Sequence, residues 1–396
     1  MHYYYINLII FLLIYISLIP WPLNLNGNYK IACISIDNSN IVFLLLIQLL
    51  FPLITWIGNF ESKTVSFSLI FDNLIYIILF ILFSISNILL FFILFEFLII
   101  ILFMLLLLFL QSYYRIRTAF FFFYYSIFGS ICFILSLIIW LLLSNSIFII
   151  LLIIPLLIKM PSFPFYYWLP EVHSESNSSI SLVLAGLILK LSIFALIRFI
   201  LSTFYLSLQF LTTFLLTLTL FGLLIITCTC FRYFDLKKII AFSSILHLNL
   251  VLVSCLSFNS CGLLSGIFIS LSHSFSSIAL FLLCGLIINK TYSRYIDSIF
   301  MLDFIIRSIL ILFIISNLNI PGSINFIGEL LSFISIISID LFYIIIFLFT
   351  SFLNSIFWFL ILNRKLIYNY SYTLCVNALM VLIWLLVIIF YLGYYF

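Results

Sequence analysis

The sequence predicts an all-α polytopic membrane protein of about 13 transmembrane helices, a bilayer-crossing helix needing about 20 apolar residues. Three observations carry this. The 396-residue chain is 67% hydrophobic and 7% charged, with a mean hydropathy of +1.45, whereas a soluble domain carries about 25% charged residues. Apolar runs of bilayer length follow one another with only short connections. The sixth and eleventh of these runs are interrupted by proline, a pattern that points to inverted five-helix repeats with function at two broken helices.

The first span, Tyr3–Ile19, lacks the basic start and the small-residue cleavage site of a signal peptide and is expected to be retained. Ile41–Ile57, Phe67–Ile85, Ile88–Leu110 and Phe120–Leu143 follow, the third and fourth spans being nearly fused. The sixth, Ile147–Trp168, is cut by Pro155 and Pro161, since proline removes a helix hydrogen bond and clashes with the preceding turn. Ser178–Leu201, Leu206–Cys228, Ile239–Cys255 and Cys261–Ile288 are continuous. The eleventh, Ile305–Ile337, is cut at Asn319-Ile320-Pro321-Gly322, and Leu341–Leu362 and Leu374–Leu392 complete the set. Residues 1–86 read as N-terminal membrane helices, 87–340 as the core and 341–396 as C-terminal membrane helices.

Loop charge supports this count. Arg115 and Arg117, then Arg232, Lys237 and Lys238, then Lys290 and Arg294, then Arg364 and Lys365 all follow even-numbered spans. They therefore share one side of the membrane, as short basic loops retained on the synthesis side do. Arg198 is the exception. The abundance of Phe (49) and Tyr (23) against Gly (11) is what AT-rich codons specify, pointing to an organelle genome. A net charge of +4 without a basic face gives no nucleic-acid footprint. Eight cysteines without a C-x-x-C pair, among them Cys132, Cys255 and Cys284 in apolar runs, read as small buried hydrophobes. No metal or cofactor site is expected, for want of a ligand set or a glycine-rich phosphate loop.

Ionisable residues inside spans carry the functional reading. Glu96, Lys159, Lys190 and Glu329 lie near span centres or breaks, and His247 and His273 lie centrally in the ninth and tenth spans. A charge in hydrocarbon costs about 2.5–3.5 kcal/mol on insertion scales and is by default functional. Burial disfavours the charged form and pairing favours it, so a partner that moves can release or recapture a proton, and imidazoles between acids and bases suit a relay. Each position also has a structural alternative. Glu96–Lys159 would be a static pair locking two helices, Lys190 would snorkel to an interface, Glu329 would be a first-turn carboxylate favoured by the helix dipole, and the histidines would be satisfied core residues. His173, in the loop after the sixth span, reads as structural or interfacial, and Asp235 beside Lys237 as a loop salt bridge.

These residues stand in motifs: Lys159-Met-Pro, Pro164, Trp168-Leu-Pro and His173, then Leu184-Ala-Gly-Leu-Ile-Leu-Lys190. Further on come Asp235-Leu-Lys-Lys, Ile240-Ala-Phe-Ser-Ser and His247, Leu271-Ser-His273, Asn325-Phe-Ile-Gly-Glu329, and upstream Phe95-Glu96. From about Asn87 onward the sequence resembles the chain 4 family of mitochondrial NADH–ubiquinone oxidoreductase, the antiporter-like subunits of respiratory complex I. The lysine and glutamate motifs resemble chain 4 rather than chains 2 and 5, and the long C-terminal lateral helix of chain 5 is not expected. The resemblance implies proton translocation through Glu96, Lys159, Lys190 and Glu329, with His247 and His273 as relay.

It also implies a multi-pass protein of the mitochondrial inner membrane, coupled to NADH:ubiquinone oxidoreduction catalysed elsewhere. NADH, FMN, iron–sulfur clusters and ubiquinone would be held by other subunits, with none in this chain. Partners would be other membrane-arm subunits, including antiporter-like chains 2 and 5, and lipids. A stand-alone cation/proton antiporter is the alternative. The sequence departs from the family by one helix near the N-terminus, by Tyr166 where a polar residue usually precedes the tryptophan, and by Asn177 where a proline usually stands.

Overall fold

The computed structural model describes residues 29–31, 34–36, 38–61, 65–108, 113–143, 147–201, 209–296, 298 and 304–363. The expected spans Tyr3–Ile19 and Leu374–Leu392 lie outside the described residues. The chain divides into two compact units, Met1–Leu94 and Phe95–Phe396.

In the first unit a short antiparallel hairpin, β1 (Tyr29–Ile31) with β2 (Ile34–Ile36), pairs Tyr29 with Ile36 and Ile31 with Ile34. This hairpin is a departure from the expected all-α chain; three-residue strands leave too short a pattern to be read in sequence. Two helices follow, α1 (Asn38–Glu61) and α2 (Val65–Ser84). Phe43, Leu46, Ile47, Leu50 and Ile54 form one buried stripe of α1, at the spacing of one helix face. Phe43 stacks on Phe83 of α2 with centroids 5.4 Å apart, and Phe51 meets Tyr76 at 5.1 Å.

The second unit begins within α3 (Ile88–Leu108) and continues through α4 (Tyr113–Leu143), α5 (Ile147–Lys159) and α6 (Trp168–Glu175). α7 then runs as four successive segments, Ser178–Val183, Leu184–Ile188, Leu189–Ala195 and Leu196–Leu201, the second and fourth being π-helical. α8 (Gln209–Cys230), α9 (Leu236–Leu256), α10 (Ser260–Thr291), α11 (Phe304–Asn317), α12 (Ile324–Ile337) and α13 (Leu341–Asn363) follow. Among the described residues seven helices are long and apolar enough to cross a membrane.

Helices apolar on all sides must be buried in protein or face lipid, and the second unit does both. α7, α9 and α10 are buried along most of their length and form its centre. α3 is sided: Phe95, Leu98, Leu102 and Leu105 are buried, whereas Phe97, Ile100, Met104 and Leu108 are exposed. α13 likewise exposes Phe342, Ile345, Phe349 and Phe352. Apolar stripes of this extent are lipid faces in a multi-pass membrane protein.

The two breaks differ in position from the proline pattern. α5 passes through Pro155 and ends only at Lys159, so Pro155 is not a helix break, contrary to the expectation. Neighbouring helices satisfy backbone groups freed by proline inside a membrane bundle; Gly129 of α4 faces this proline, where a Cβ would make an ordinary contact 3.6 Å from the Pro155 Cα. The break itself holds Pro161 and the cis peptide Phe163–Pro164 and ends where α6 begins. The second break lies between α11 and α12, as the sequence indicates. Asn319 (φ 56°) and Gly322 (φ 100°) adopt left-handed conformations around Pro321, and Ser323 caps α12 by accepting the Phe326 N–H.

Loops after α8 and α10 meet at one end. Leu236 N–H donates to Arg294 O, and Ile296 N–H to Phe234 O. Lys238 pairs with Glu171 of α6 at 2.7 Å, Arg294 with Glu175 at 2.8 Å, and Lys237 Nζ donates to Ser176 O at 2.7 Å. The Asp235 carboxylate caps α9 by accepting the Lys237 N–H. Burial raises its pKa above the ordinary carboxylate value, against the opposing pull of those amides and of Arg294 and Lys238.

α12 packs closely on α10. A Cβ on Gly328 would lie 2.5 Å from the Ile269 Cγ1 and 3.1 Å from the Ile269 backbone nitrogen. Gly328→Ala is expected to destabilise the protein by about 1–3 kcal/mol through overpacking. Gly129→Ala, where contact with Pro155 would be ordinary, is expected to be near neutral. Thermal midpoints of the detergent-purified variants measure the contrast.

Candidate functional site

The charged residues singled out in sequence fall into two clusters and one outlying carboxylate. In the first cluster, Lys159 is the last residue of α5 and Glu96 lies on α3, with Nζ 2.6 Å from Oε1. The lysine side chain is 5% exposed and the glutamate 23%. Lys159 Nζ also lies 4.0 Å from the Phe95 ring centroid, a cation–π contact. The helix end is fixed from behind: Trp168 Nε1 donates to Ile158 O at 2.9 Å, and Ser162 Oγ to Leu157 O at 3.0 Å. These donors occupy carbonyls that a helix end leaves unpaired.

Beside Lys159 is a cavity of about 20 Å³ bounded by Phe95, Tyr125, Ser126, Leu184 and Ile188 among others. That volume holds about one water. Leu184 and Ile188 begin and end the first π segment of α7, so the cavity separates Lys159 from the segment that serves the second lysine.

The second cluster centres on Lys190, 0% exposed. Its Nζ donates to Ala185 O at 2.6 Å and lies 3.1 Å from His273 Nδ1. Ala185 belongs to the π segment, where the wider turn offers a carbonyl to a side chain five residues on. His247 of α9 lies close by, its ring centroid 5.3 Å from that of His273, and its Nε2 has no protein partner. No carboxylate is paired with Lys190 among the described residues.

Glu329 is half-buried on α12, and the Asn319 side chain in the second break acts on it electrostatically. No hydrogen bond among the described residues joins it directly to the histidines.

His173, read from the sequence as structural or interfacial, is placed on α6. It is fully buried on α6, stacked 4.4 Å from Phe281 of α10, and neither ring nitrogen has a protein partner. An available signal was the short amphipathic run after Trp168, which buries its histidine face.

A model of the family described as NADH:quinone oxidoreductase/Mrp antiporter, TM, matches residues 142–354. NADH-ubiquinone oxidoreductase chain 4 of Wickerhamomyces canadensis is 36% identical over 231 residues, covering 57% of this chain and 45% of that protein. Chain 4 of Chondrus crispus is 29% identical over 330 residues, covering 78% and 67%. The chain spans about half the length of the first curated relatives it matches, 45% and 44%. Among solved structures, a chain of respiratory complex I from Thermus thermophilus with bound NADH is similar at TM-score 0.82 and 18% identity, covering 97% of this chain and 89% of that one. A chain of the Mrp complex from Dietzia sp. is similar at TM-score 0.78 and 16% identity, covering 86% and 68%. At such identities the likeness is one of fold.

Breaking a buried ion pair by removing one partner leaves an uncompensated charge. Glu96→Ala is therefore expected to destabilise the protein by about 3–5 kcal/mol, and the double variant Glu96→Ala/Lys159→Met by less than either single change. Thermal midpoints of the four proteins give the coupling.

Proposed function

The chain belongs to the NADH:quinone oxidoreductase/Mrp antiporter transmembrane family, and on that footing we propose that it is a proton-translocating membrane-arm subunit of respiratory complex I. In this reading it couples NADH:ubiquinone oxidoreduction, catalysed in other subunits with their NADH, FMN, iron–sulfur clusters and ubiquinone, to proton movement across the inner mitochondrial membrane. Its neighbours are other membrane-arm subunits, including antiporter-like chains 2 and 5, and lipids. The chain crosses the membrane about thirteen times, with the breaks at α5–α6 and α11–α12 as corresponding points of an inverted five-helix repeat.

The observation that carries the reading is the Lys159–Glu96 pair at a helix break, beside a water-sized cavity that is also lined by Leu184 and Ile188 of the π segment preceding Lys190, which contacts His273. While Glu96 is in contact, the Lys159 ammonium has a counter-charge. When α3 and α5 separate, the ammonium stands in a low-dielectric site without one, and an Nζ–H passes to water at the cavity. Lys190, held only by a carbonyl and an imidazole, accepts the proton and shares it with His273 and His247. Glu329 is the terminal acceptor. His173 is the supply route from the basic loops to Lys190.

A stand-alone cation/proton antiporter is the second reading, supported by the fold likeness to a chain of the Mrp complex. Purification separates the two, because a complex I subunit co-migrates with many partners on a native gel. Lys159→Ala and Glu96→Ala are expected to leave the complex assembled and to slow pumping-coupled NADH oxidation by about a hundredfold, within the range of a positioned proton-transfer group. Normal turnover and proton stoichiometry in the assembled variants would remove the role. Normal pumping in Lys190→Ala would reduce the chain to a structural spacer.

A further inference from the structure

Between His273 and Glu329 the polar file has a gap, and three contacts close around it. The residue preceding His273 on α10, Ser272, is 1% exposed and hydrogen-bonds through Oγ to Asn325 Oδ1 of α12. Asn325, 2% exposed, donates its Nδ2 to Ser316 O at 3.2 Å. Ser316 lies in the last turn of α11, where the carbonyls lack intrahelical partners. One turn on in α12 and one turn back in α10, Gly328 is pressed against Ile269.

An asparagine amide has one acceptor oxygen and one donor group. Here each faces a different helix, the oxygen toward α10 and the nitrogen toward the main chain of α11, while the side chain itself belongs to α12. Glu329 follows Gly328 directly on α12, the helix that starts from the second break.

We infer that Asn325 is a positioning residue that joins the Lys190–His273–His247 cluster to the broken helix carrying Glu329, through Ser272 on one side and Ser316 on the other. The inference rests on the proton-translocating reading and names what connects its two halves. The connection has two settings. Ser272 Oγ also lies 2.9 Å from Phe268 O and 3.1 Å from Ile269 O of its own helix. A hydroxyl carries one proton, so it serves either the α10 backbone or Asn325. Given to Asn325, it locks α10 to the break. Turned back to Phe268, it frees α12 to move with Glu329.

The test uses the assembled membrane complex and four variants: Asn325→Ala, Asn325→Asp, Ser272→Ala and the double Ser272→Ala/Asn325→Ala. Assembly is read on native gels, the coupled NADH oxidation rate in membranes, and protons moved per two electrons in sealed vesicles. Asn325→Ala is expected to slow the coupled rate by about tenfold, the effect of one lost buried hydrogen bond, and to lower the proton-to-electron ratio. A purely structural loss would reduce the amount of complex but not that ratio. Ser272→Ala is expected to act in the same direction, and the double variant to be no worse than Asn325→Ala, because both changes cut one connection. Asn325→Asp, which as the neutral acid keeps an acceptor and a donor, is expected to restore part of the ratio.

Wild-type rate and ratio in assembled Asn325→Ala and Ser272→Ala, or strictly additive effects in the double variant, would overturn the inference. If Asn325→Ala does not assemble, Ser272→Ala and Asn325→Asp decide it by the same ratio. Lys190→Ala is the control: lost pumping there with normal pumping in the Asn325 and Ser272 variants sinks the connection alone, whereas normal pumping in Lys190→Ala sinks the proton reading beneath it.

Discussion

An ammonium ion in a low-dielectric interior needs a partner, and this chain solves that requirement twice by different means. Lys159 has a full counter-charge in Glu96 at 2.6 Å and an aromatic face at 4.0 Å. Lys190 has a carbonyl and an imidazole nitrogen, both neutral acceptors when the imidazole is neutral. The first arrangement favours the charged lysine as long as two helices stay together. The second accommodates either protonation state, because the histidine exchanges donor and acceptor roles with its tautomer. In the proposed function, a fixed charge at one lysine and an adaptable group at the other supply the asymmetry that directs a proton between them.

Backbone irregularity supplies what the side chains lack. Lys159 is the residue at which α5 stops, Lys190 follows the first π segment of α7 by two residues, and Glu329 lies one turn into the helix after the second break. Irregular backbone at membrane depth persists only where protein or enclosed water satisfies its polar groups. In each case the freed groups have named uses. Trp168 takes the Ile158 carbonyl, Lys190 takes that of Ala185, and Asn325 takes that of Ser316. Lys159, Lys190 and Glu329 therefore stand beside irregular backbone, which provides local polarity that a regular helix withholds, whereas Glu96 lies within the continuous α3.

The sequence made the spans and the charged positions legible, since apolar length and an ionisable residue within it are local signals. α1 to α4, α7 to α10 and α13 fall where the hydropathy places them, and the break at Pro321-Gly322 follows from two residues whose backbone preferences agree. Pro155 misled because a proline does not have to end a helix inside a bundle, where neighbouring helices satisfy the groups it frees, and α5 continues past it to Lys159. The π segments are carried by Leu, Ala, Gly and Ile, residues equally at home in an α-helix, so tertiary contact decides the turn. His173 and the Ser272–Asn325 bond required knowing which faces meet, and a serine or asparagine in an apolar run carries no mark of its partner.

The two lysine clusters are close without being continuous, and that separation is itself a requirement. A fully hydrated file would let protons equilibrate whatever the state of Glu96, and no work could be extracted from moving it. A fully dry wall would isolate Lys159 from its acceptor. The cavity between Phe95 and the π segment of α7 is lined mainly by apolar side chains, with Ser126 and Tyr125 at its edge, and is the size of a single water. Occupancy of such a space responds to small changes in helix spacing, because one water needs two to four polar partners to be held there. In the proposed function, the state of the Glu96–Lys159 pair sets both whether a proton is released and whether a carrier is in place to receive it.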